Sequence, residues 1–256
     1  MKRALIAALA LLACAATAFC AQEEWNTAKG THFVVYYRAA TAEFAGKVVA
    51  EAERQYEKIT DDLGFLRLDF WLWDNRARIY ICDDAKQYQE LTKMPAWSAG
   101  GVLPKDKVIY LILDKSSLFE SVLPHEVGHI IFREFVGFDN PAVPVWLDEG
   151  AASYQEERAV FRAVLAPLAR KRGGLIPLDR LSSLNPHDMT DRAAVEQFYA
   201  EAASVIDFLI HSFGKENFVL FCRSLRDTRD LDKALSYSYS IRDIRELDRQ
   251  WQAYIQ

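Results

Sequence analysis

Cysteine is scarce in this sequence, and its spacing argues against a cysteine-based metal site. Only Cys82 and Cys222 lie in the body of the chain, because the other two of the four cysteines fall within the first twenty residues. No C-x-x-C pair occurs, although cysteine zinc sites usually contain one. We therefore expect Cys82 and Cys222 either to form one disulfide or to remain two buried free thiols.

A surplus of basic residues is also missing. Lysine and arginine total 31 against 36 aspartates and glutamates, for a formal net charge of −5. Binding to a phosphate backbone needs a concentrated basic face, so we expect no nucleic-acid partner. The sequence has no internal repeat or low-complexity stretch, and 51% apolar with 26% charged residues is a globular composition.

The N-terminus has the layout of a secretory signal peptide. Lys2 and Arg3 precede an alanine-rich apolar run at residues 4–21. A charged start, an apolar centre and small residues before a cleavage point are typical of such signals. We expect residues 1–21 to be removed and the protein to be exported, to the periplasm or outside the cell. A retained membrane anchor is the weaker alternative, because the run is short and alanine is weakly apolar.

The signal segment contains two candidate processing sites. Residues 16–18 (Ala-Thr-Ala) form a small-x-small cleavage site, whereas residues 11–14 (Leu-Leu-Ala-Cys) resemble a bacterial lipobox, in which Cys14 would carry a lipid. The sequence leaves both open. The only membrane contact that we expect is a lipid anchor at Cys14.

Strand-like segments occur only in the first half of the chain. Runs rich in β-branched and aromatic residues predict strands at 32–38, 76–82 and 107–113, and the glycines within 97–102 predict an exposed edge strand or a turn. The sequence predicts an α+β fold in a single domain, residues 22–256, with a β-rich part at 22–116 and a helical part at 117–256. The expected helices cover 41–63, 85–91, 118–135, 146–169, 191–213, 215–226 and 241–255.

The segment His125-Glu126-Val127-Gly128-His129 carries a metal-binding pattern. Residues four apart lie above one another on a helix, so both imidazoles can ligate one ion. Glu126 is rotated by about 100° from His125, where it can act as the general base of a zinc hydrolase. The alternative is a pair of helical histidines beside a surface glutamate.

A third ligand follows on the next predicted helix. Glu149 lies in Trp-Leu-Asp-Glu-Gly, after a turn that contains Pro141 and Pro144 and can bring the chain back to the first helix. Two histidines and one glutamate leave the fourth position of a tetrahedral zinc ion open, which indicates catalysis. The alternative is a surface glutamate at a helix start.

The combination of His-Glu-x-x-His with Trp-Leu-x-Glu-Gly-x-Ala-x-Tyr resembles the gluzincin metallopeptidases, in particular the peptidase MA-like domains related to aminopeptidase N. The resemblance implies a thermolysin-like zincin catalytic domain with a β-rich N-terminal and a helical C-terminal lobe. It implies Zn²⁺ held by His125, His129 and Glu149, with Glu126 as general base. It also points to Tyr199 as the tyrosine that stabilises the oxyanion, against the alternative of a core aromatic.

The sequence departs from the aminopeptidases at the strand that binds the substrate's free amine. Their Gly-x-Met-Glu-Asn motif is missing, and the nearest segment, residues 99–102, has no carboxylate. We therefore expect a zinc endopeptidase acting on a peptide or protein, with an extended substrate pairing along residues 97–102. The alternatives are a non-catalytic cell-envelope binding module that retains the zinc site, and a zinc hydrolase of other amides or esters. His32, His187 and His211 have no partner at ligand spacing.

Overall fold

The computed structural model describes residues 24–65, 71–94, 100–113, 116–156 and 174–255. The predicted signal peptide, with Cys14, lies outside these residues, as do residues 97–99 of the predicted edge strand. No helix within the described ranges combines the length and apolar character needed to cross a membrane.

Five strands form one mixed sheet in the order β1-β2-β3-β5-β4. The three central strands are parallel, and β1 and β4 pair antiparallel at the two edges. The three predicted strands are confirmed as β2, β3 and β5, and the glycine segment forms edge strand β4. Only β1 lacks a sequence signal, because it is short and polar. The strands are β1 (Asn26–Lys29), β2 (Phe33–Tyr37), β3 (Ala77–Cys82), β4 (Gly100–Leu103) and β5 (Val108–Ile112).

Nine α-helices are present in the described residues, and an α+β fold is confirmed. Those before the third lie among the strands, and the described chain after residue 116 contains no strand. They are α1 (Ala42–Asp62), α2 (Ala85–Thr92), α3 (Leu123–Val136), α4 (Val145–Ser153), α5 (Leu178–Leu181), α6 (Arg192–Phe213), α7 (Lys215–Thr228), α8 (Leu231–Tyr239) and α9 (Ile244–Ile255).

The helix predicted at 118–135 begins with a turn that is not regular α-helix. Leu118–Val122 is a π-helical turn, in which Val122 N donates to Ser117 O at 3.1 Å, and regular α-helix starts only at Leu123. Pro124 explains the change, since it has no N–H to continue the ladder and its ring crowds the preceding turn. Residues 118–135 are therefore helical as predicted, but the first five form a π-helical turn.

The helix predicted at 146–169 also differs. α4 ends at Ser153, where Gln155 N and Glu156 N donate to Ala152 O and Ser153 O in tight turns. Beyond the end of α4, the side chain of Glu156 contacts His125 on α3. The described part of the prediction is thus wrong after Ser153, and residues 157–173 lie outside the described residues.

One large core joins the inner face of the sheet to α1, α3, α4 and the long central helix α6. α4 crosses α6 so closely that a Cβ at Gly150 would lie 2.5 Å from the carbonyl oxygen of Ala202. Only glycine fits this crossing without displacing a helix. Cys82 and Cys222 are buried free thiols in separate clusters, so the disulfide alternative is wrong.

Candidate metal centre

Three predicted ligands meet where α3 crosses α4. Nε2 of His125 lies 3.1 Å from Nε2 of His129. Each of these nitrogens lies 3.4 Å from Oε2 of Glu149. All three residues are largely buried. The turn between the two helices therefore brings the glutamate to the histidine pair, as the spacing predicted.

The triangle of donor atoms has the size that a zinc ion requires. Tetrahedral zinc with ligand distances of about 2.0–2.1 Å separates its donor atoms by about 3.3–3.4 Å. The observed separations of 3.1 to 3.4 Å match that edge. Neutral imidazole nitrogens and a carboxylate oxygen are also the donors that catalytic zinc sites use. The residues present thus fit Zn²⁺.

The other ring nitrogen of each histidine is held by an acidic side chain that the sequence analysis missed. Nδ1 of His125 lies 2.8 Å from Oε1 of Glu156. Nδ1 of His129 lies 3.1 Å from Oδ1 of Asp148, whose second oxygen accepts from Nε of Arg133 at 2.8 Å. Such contacts fix the tautomer and the ring orientation of metal ligands. Each Nε2 is thereby turned toward the common point.

Glu156 is itself held in place by hydroxyl groups. Ser121 Oγ donates to its Oε2, and the Ser153 side chain also hydrogen-bonds to this carboxylate. Ser121 belongs to the π-helical turn before α3, so the irregular turn and the end of α4 are joined through one carboxylate. Glu156 therefore connects the two places where the chain differs from regular α-helix, the π-helical turn before α3 and the end of α4.

The centre carries an excess of negative charge. Four carboxylates, those of Glu126, Asp148, Glu149 and Glu156, surround the two imidazoles, and Arg133 is the only basic side chain that they contact among the described residues. A divalent cation at the donor triangle would offset this charge.

The pKa values of the donor side chains reflect this charge excess. Burial lowers the pKa of His125, but the hydrogen bonds to Glu149 and Glu156 outweigh burial and raise that pKa to about 10. Burial raises the pKa of Glu149, but the neighbouring histidines hold it well below its usual range. Glu149 is thus a carboxylate under all ordinary conditions, as a metal ligand must be.

Glu126 lies beside the ligands and against the edge strand β4. Its side chain is 8% exposed, and a Cβ at Gly100 would lie 3.1 Å from its Oε1. The missing side chain at Gly100 therefore lets the carboxylate lie between the helix and the strand. Burial raises the pKa of Glu126, which makes the carboxylate a stronger proton acceptor.

Tyr199 reaches the same cleft from α6. Its ring centroid lies 6.0 Å from that of His125. Burial, followed by the nearby charges of Glu149 and Glu126, raises the pKa of Tyr199. The phenol consequently keeps its proton and can donate a hydrogen bond.

The cleft has a volume of about 440 Å³ and extends from the metal ligands to β4. His187 also lines it, which the sequence analysis did not predict because no ligand spacing points to that residue. His32 instead faces Glu53, with Nδ1 2.6 Å from Oε2, and His211 is exposed. The lining residues are Met94, Gly100, Gly101, Val102, Pro104, Ser121, Val122, His125, Glu126, His129, Asp148, Glu149, His187 and Tyr199.

A sequence model of the Peptidase MA superfamily matches residues 73–256, a span that contains the whole metal centre. The chain belongs to the Peptidase MA superfamily. Family membership and the His/His/Glu donor set together support Zn²⁺ as the metal of this peptidase MA protein. The resemblance found in the sequence is therefore confirmed.

Solved structures similar to this peptidase MA chain are M1 zinc metallopeptidases. The enzyme from Deinococcus radiodurans is 17% identical with a TM-score of 0.48, over 91% of this chain and 52% of that chain. A mutant of that enzyme is 16% identical with a TM-score of 0.48 over the same shares. A two-domain M1 mutant bound to L-arginine is 16% identical, with a TM-score of 0.47, over 91% of this chain and 51% of that chain. This chain thus spans about half the length of the structures it matches. A search of curated proteins found no match.

Proposed function

We propose that this protein is a zinc metallopeptidase that cleaves internal peptide bonds. The observation that carries the proposal is the convergence of His125, His129 and Glu149 on one point, with Glu126 beside them in a single open cleft. A purely structural zinc site is closed by protein ligands, whereas this donor set leaves one position open.

The residues of the cleft divide the chemistry between them. When bound, Zn²⁺ supplies Lewis acidity to this cleft. The Glu126 carboxylate accepts a proton from the attacking water and returns it to the leaving amine. The Tyr199 hydroxyl donates a hydrogen bond to the oxygen that gains negative charge in the tetrahedral transition state. Glu156 and Asp148 keep the histidine rings oriented throughout.

Two features of the cleft favour an endopeptidase over an aminopeptidase. Every carboxylate among the described lining residues, those of Glu126, Asp148 and Glu149, belongs to the metal centre, so none is left for a substrate ammonium group. β4 is also an edge strand that pairs with β5 along one edge and with no described strand along the other, and an extended substrate can add along that second edge. Peptides longer than the cleft can then lie across it.

We also propose a thermolysin-like arrangement, with a β-rich N-terminal and a helical C-terminal part in one domain. The position of every described strand before α3 supports it. The layout of residues 1–21 supports export to the periplasm or beyond. If the lipobox is used, Cys14 would carry a lipid. The acidic charge balance supports a peptide or protein substrate rather than a nucleic acid.

The decisive experiment is a digest of a diverse peptide library, including peptides with blocked ends, by the zinc-loaded protein, with new termini identified by mass spectrometry. The Glu126→Ala protein, loaded with zinc to the same occupancy, is the control. Internal cuts made only by the wild type would support the proposal. Trimming of free N-termini alone would replace it by an aminopeptidase, and no cuts with zinc bound would favour a binding module.

A further inference from the structure

The edge strand β4 lines one side of the cleft and packs against α3. It is antiparallel to β5, and Gly100 lies opposite Leu111 and Gly101 opposite Tyr110. Side chains alternate along a strand, so positions 100 and 102 face the inner side of the sheet and positions 101 and 103 the outer side. A Cβ at Gly100 would meet Val122 and Glu126 on the inner side, whereas one at Gly101 would meet Met94 and Tyr88 on the outer side.

Met94 is fixed over the outer side of β4. The buried Tyr88 hydroxyl donates to Gly100 O at 2.6 Å and lies 3.2 Å from Met94 Sδ. A Cβ at Gly101 would lie 2.5 Å from the same sulfur. The thioether therefore occupies the space that a side chain at Gly101 would take, and it lines the cleft at that point.

The inner side of β4 is apolar as well. Val102 packs against the main core and lines the cleft together with Val122, which lies at the end of the π-helical turn. Among the described lining residues, every charged side chain belongs to the metal centre, and His187 is the only other titratable group besides Tyr199. Apart from Glu126, which lies against Gly100 and belongs to the metal centre, the described residues on the strand side of the cleft thus include no group that would stabilise a buried charge.

We propose that Met94 and Val102 form two apolar subsites that select substrate segments with apolar side chains. A substrate strand added beside β4 continues the sheet, so its successive side chains point alternately toward the Met94 side and the Val102 side. Met94 is the specificity-determining residue of the outer subsite, because Tyr88 and Gly101 fix its place. This inference rests on the proposed function.

The test measures peptide binding without turnover. Zinc-loaded Glu126→Ala protein is titrated with fluorescent peptides that have blocked ends and carry leucine, lysine or glutamate at each successive position. We expect lysine or glutamate to weaken binding by about ten-fold or more at two adjacent positions, where leucine would be buried. Equal affinity for leucine, lysine and glutamate peptides at every position would overturn the proposal.

Variants of Met94 assign the outer subsite. In the same background, Met94→Glu should prefer lysine to leucine at one position only, and Met94→Leu should keep the apolar preference. Leu91→Glu is the matched control, since Leu91 is 44% exposed on α2 and does not line the cleft. A Met94→Glu protein that binds zinc, yet keeps the original preference, would overturn the role of Met94.

Cleavage by the wild type separates the two proposals. Apolar selectivity in binding without any cleavage would remove the proposed function and leave the subsites standing. Cleavage of the library without apolar selectivity would support the proposed function and overturn the two apolar subsites.

Discussion

The two walls of the cleft are built in opposite ways. The helical wall, formed by α3, α4 and α6 and supported by Glu156 just beyond α4, holds four carboxylates, two imidazoles and a phenol linked by hydrogen bonds and charge interactions. The strand wall of β4 and Met94 has no charged group in its described part and depends on two glycines for its shape. Under the proposed function, the helical wall would perform the chemistry and the strand wall would select the substrate.

The largest effect should come from Glu126 on the helical wall. Glu126→Gln removes the proton acceptor but keeps the volume, so we expect peptide cleavage to fall by about 10²–10⁴-fold. Zinc content, measured by metal analysis, should stay unchanged, because Glu126 is not a ligand. Glu120→Gln, an exposed change in the preceding turn, should leave the rate at the wild-type level. A Glu126→Gln rate near wild type would contradict the division of roles.

Tyr199 should have the next largest effect. Tyr199→Phe deletes one hydrogen bond to the developing oxyanion, so kcat should fall by about 10²-fold with little change in KM. Tyr237→Phe, at a position 71% exposed, is the matched control. If both variants cleave at the wild-type rate, Tyr199 is a packing residue and the helical wall lacks this catalytic group.

Glu156 tests whether the outer hydrogen bonds matter to the metal. Glu156→Gln keeps the size but replaces the carboxylate that accepts from His125, so zinc affinity should weaken by about 10–100-fold. The zinc affinity can be measured by competition with a chelator of known affinity. An unchanged affinity would mean that α3 alone orients the ring.

The smallest effect should come from the strand wall. Gly101→Ala would place a Cβ against the end of the Met94 side chain and against the Tyr88 hydroxyl, which must both shift. We expect peptide binding to weaken by a few-fold and the free energy of unfolding to fall by about 1 kcal/mol. Zinc affinity should not change, because no metal ligand contacts Gly101. A loss of zinc in this variant would show that the two walls are not independent.

Periodicity explains why the helical wall was largely predictable. His125, Glu126 and His129 share one helix, and their mutual positions follow from its pitch alone. Glu149 needed only a turn that returns the chain, which Pro141 and Pro144 indicate. Asp148 could have been identified as the neighbour of a ligand, but its contact with His129 depends on the angle at which α4 crosses α3.

The remaining features depend on tertiary contacts that a local pattern does not contain. Glu156 lies on a segment with helical periodicity, and neither the tight turns that end α4 nor the contact of Glu156 with His125 can be inferred from that periodicity. His187 reaches the cleft from a short 3₁₀ turn at Pro186–Asp188, distant in sequence from the metal ligands. β1 has polar residues, and its pairing with β2 outweighs its weak propensity. No pattern in the sequence predicts that the side chain of Met94 packs on Gly101.

The crossing at Gly150 has a consequence for engineering this protein. Because α4 touches the α6 backbone at Ala202, the distance between Glu149 and Tyr199 is set by van der Waals contact between two helices rather than by a loop. A library that randomises Met94, Gly101 and Val102 should therefore change the proposed subsites and leave the distance between Glu149 and Tyr199 unchanged. In a library that also randomises Gly150, we expect most variants to fold poorly, because any side chain at that position would displace α4 from α6.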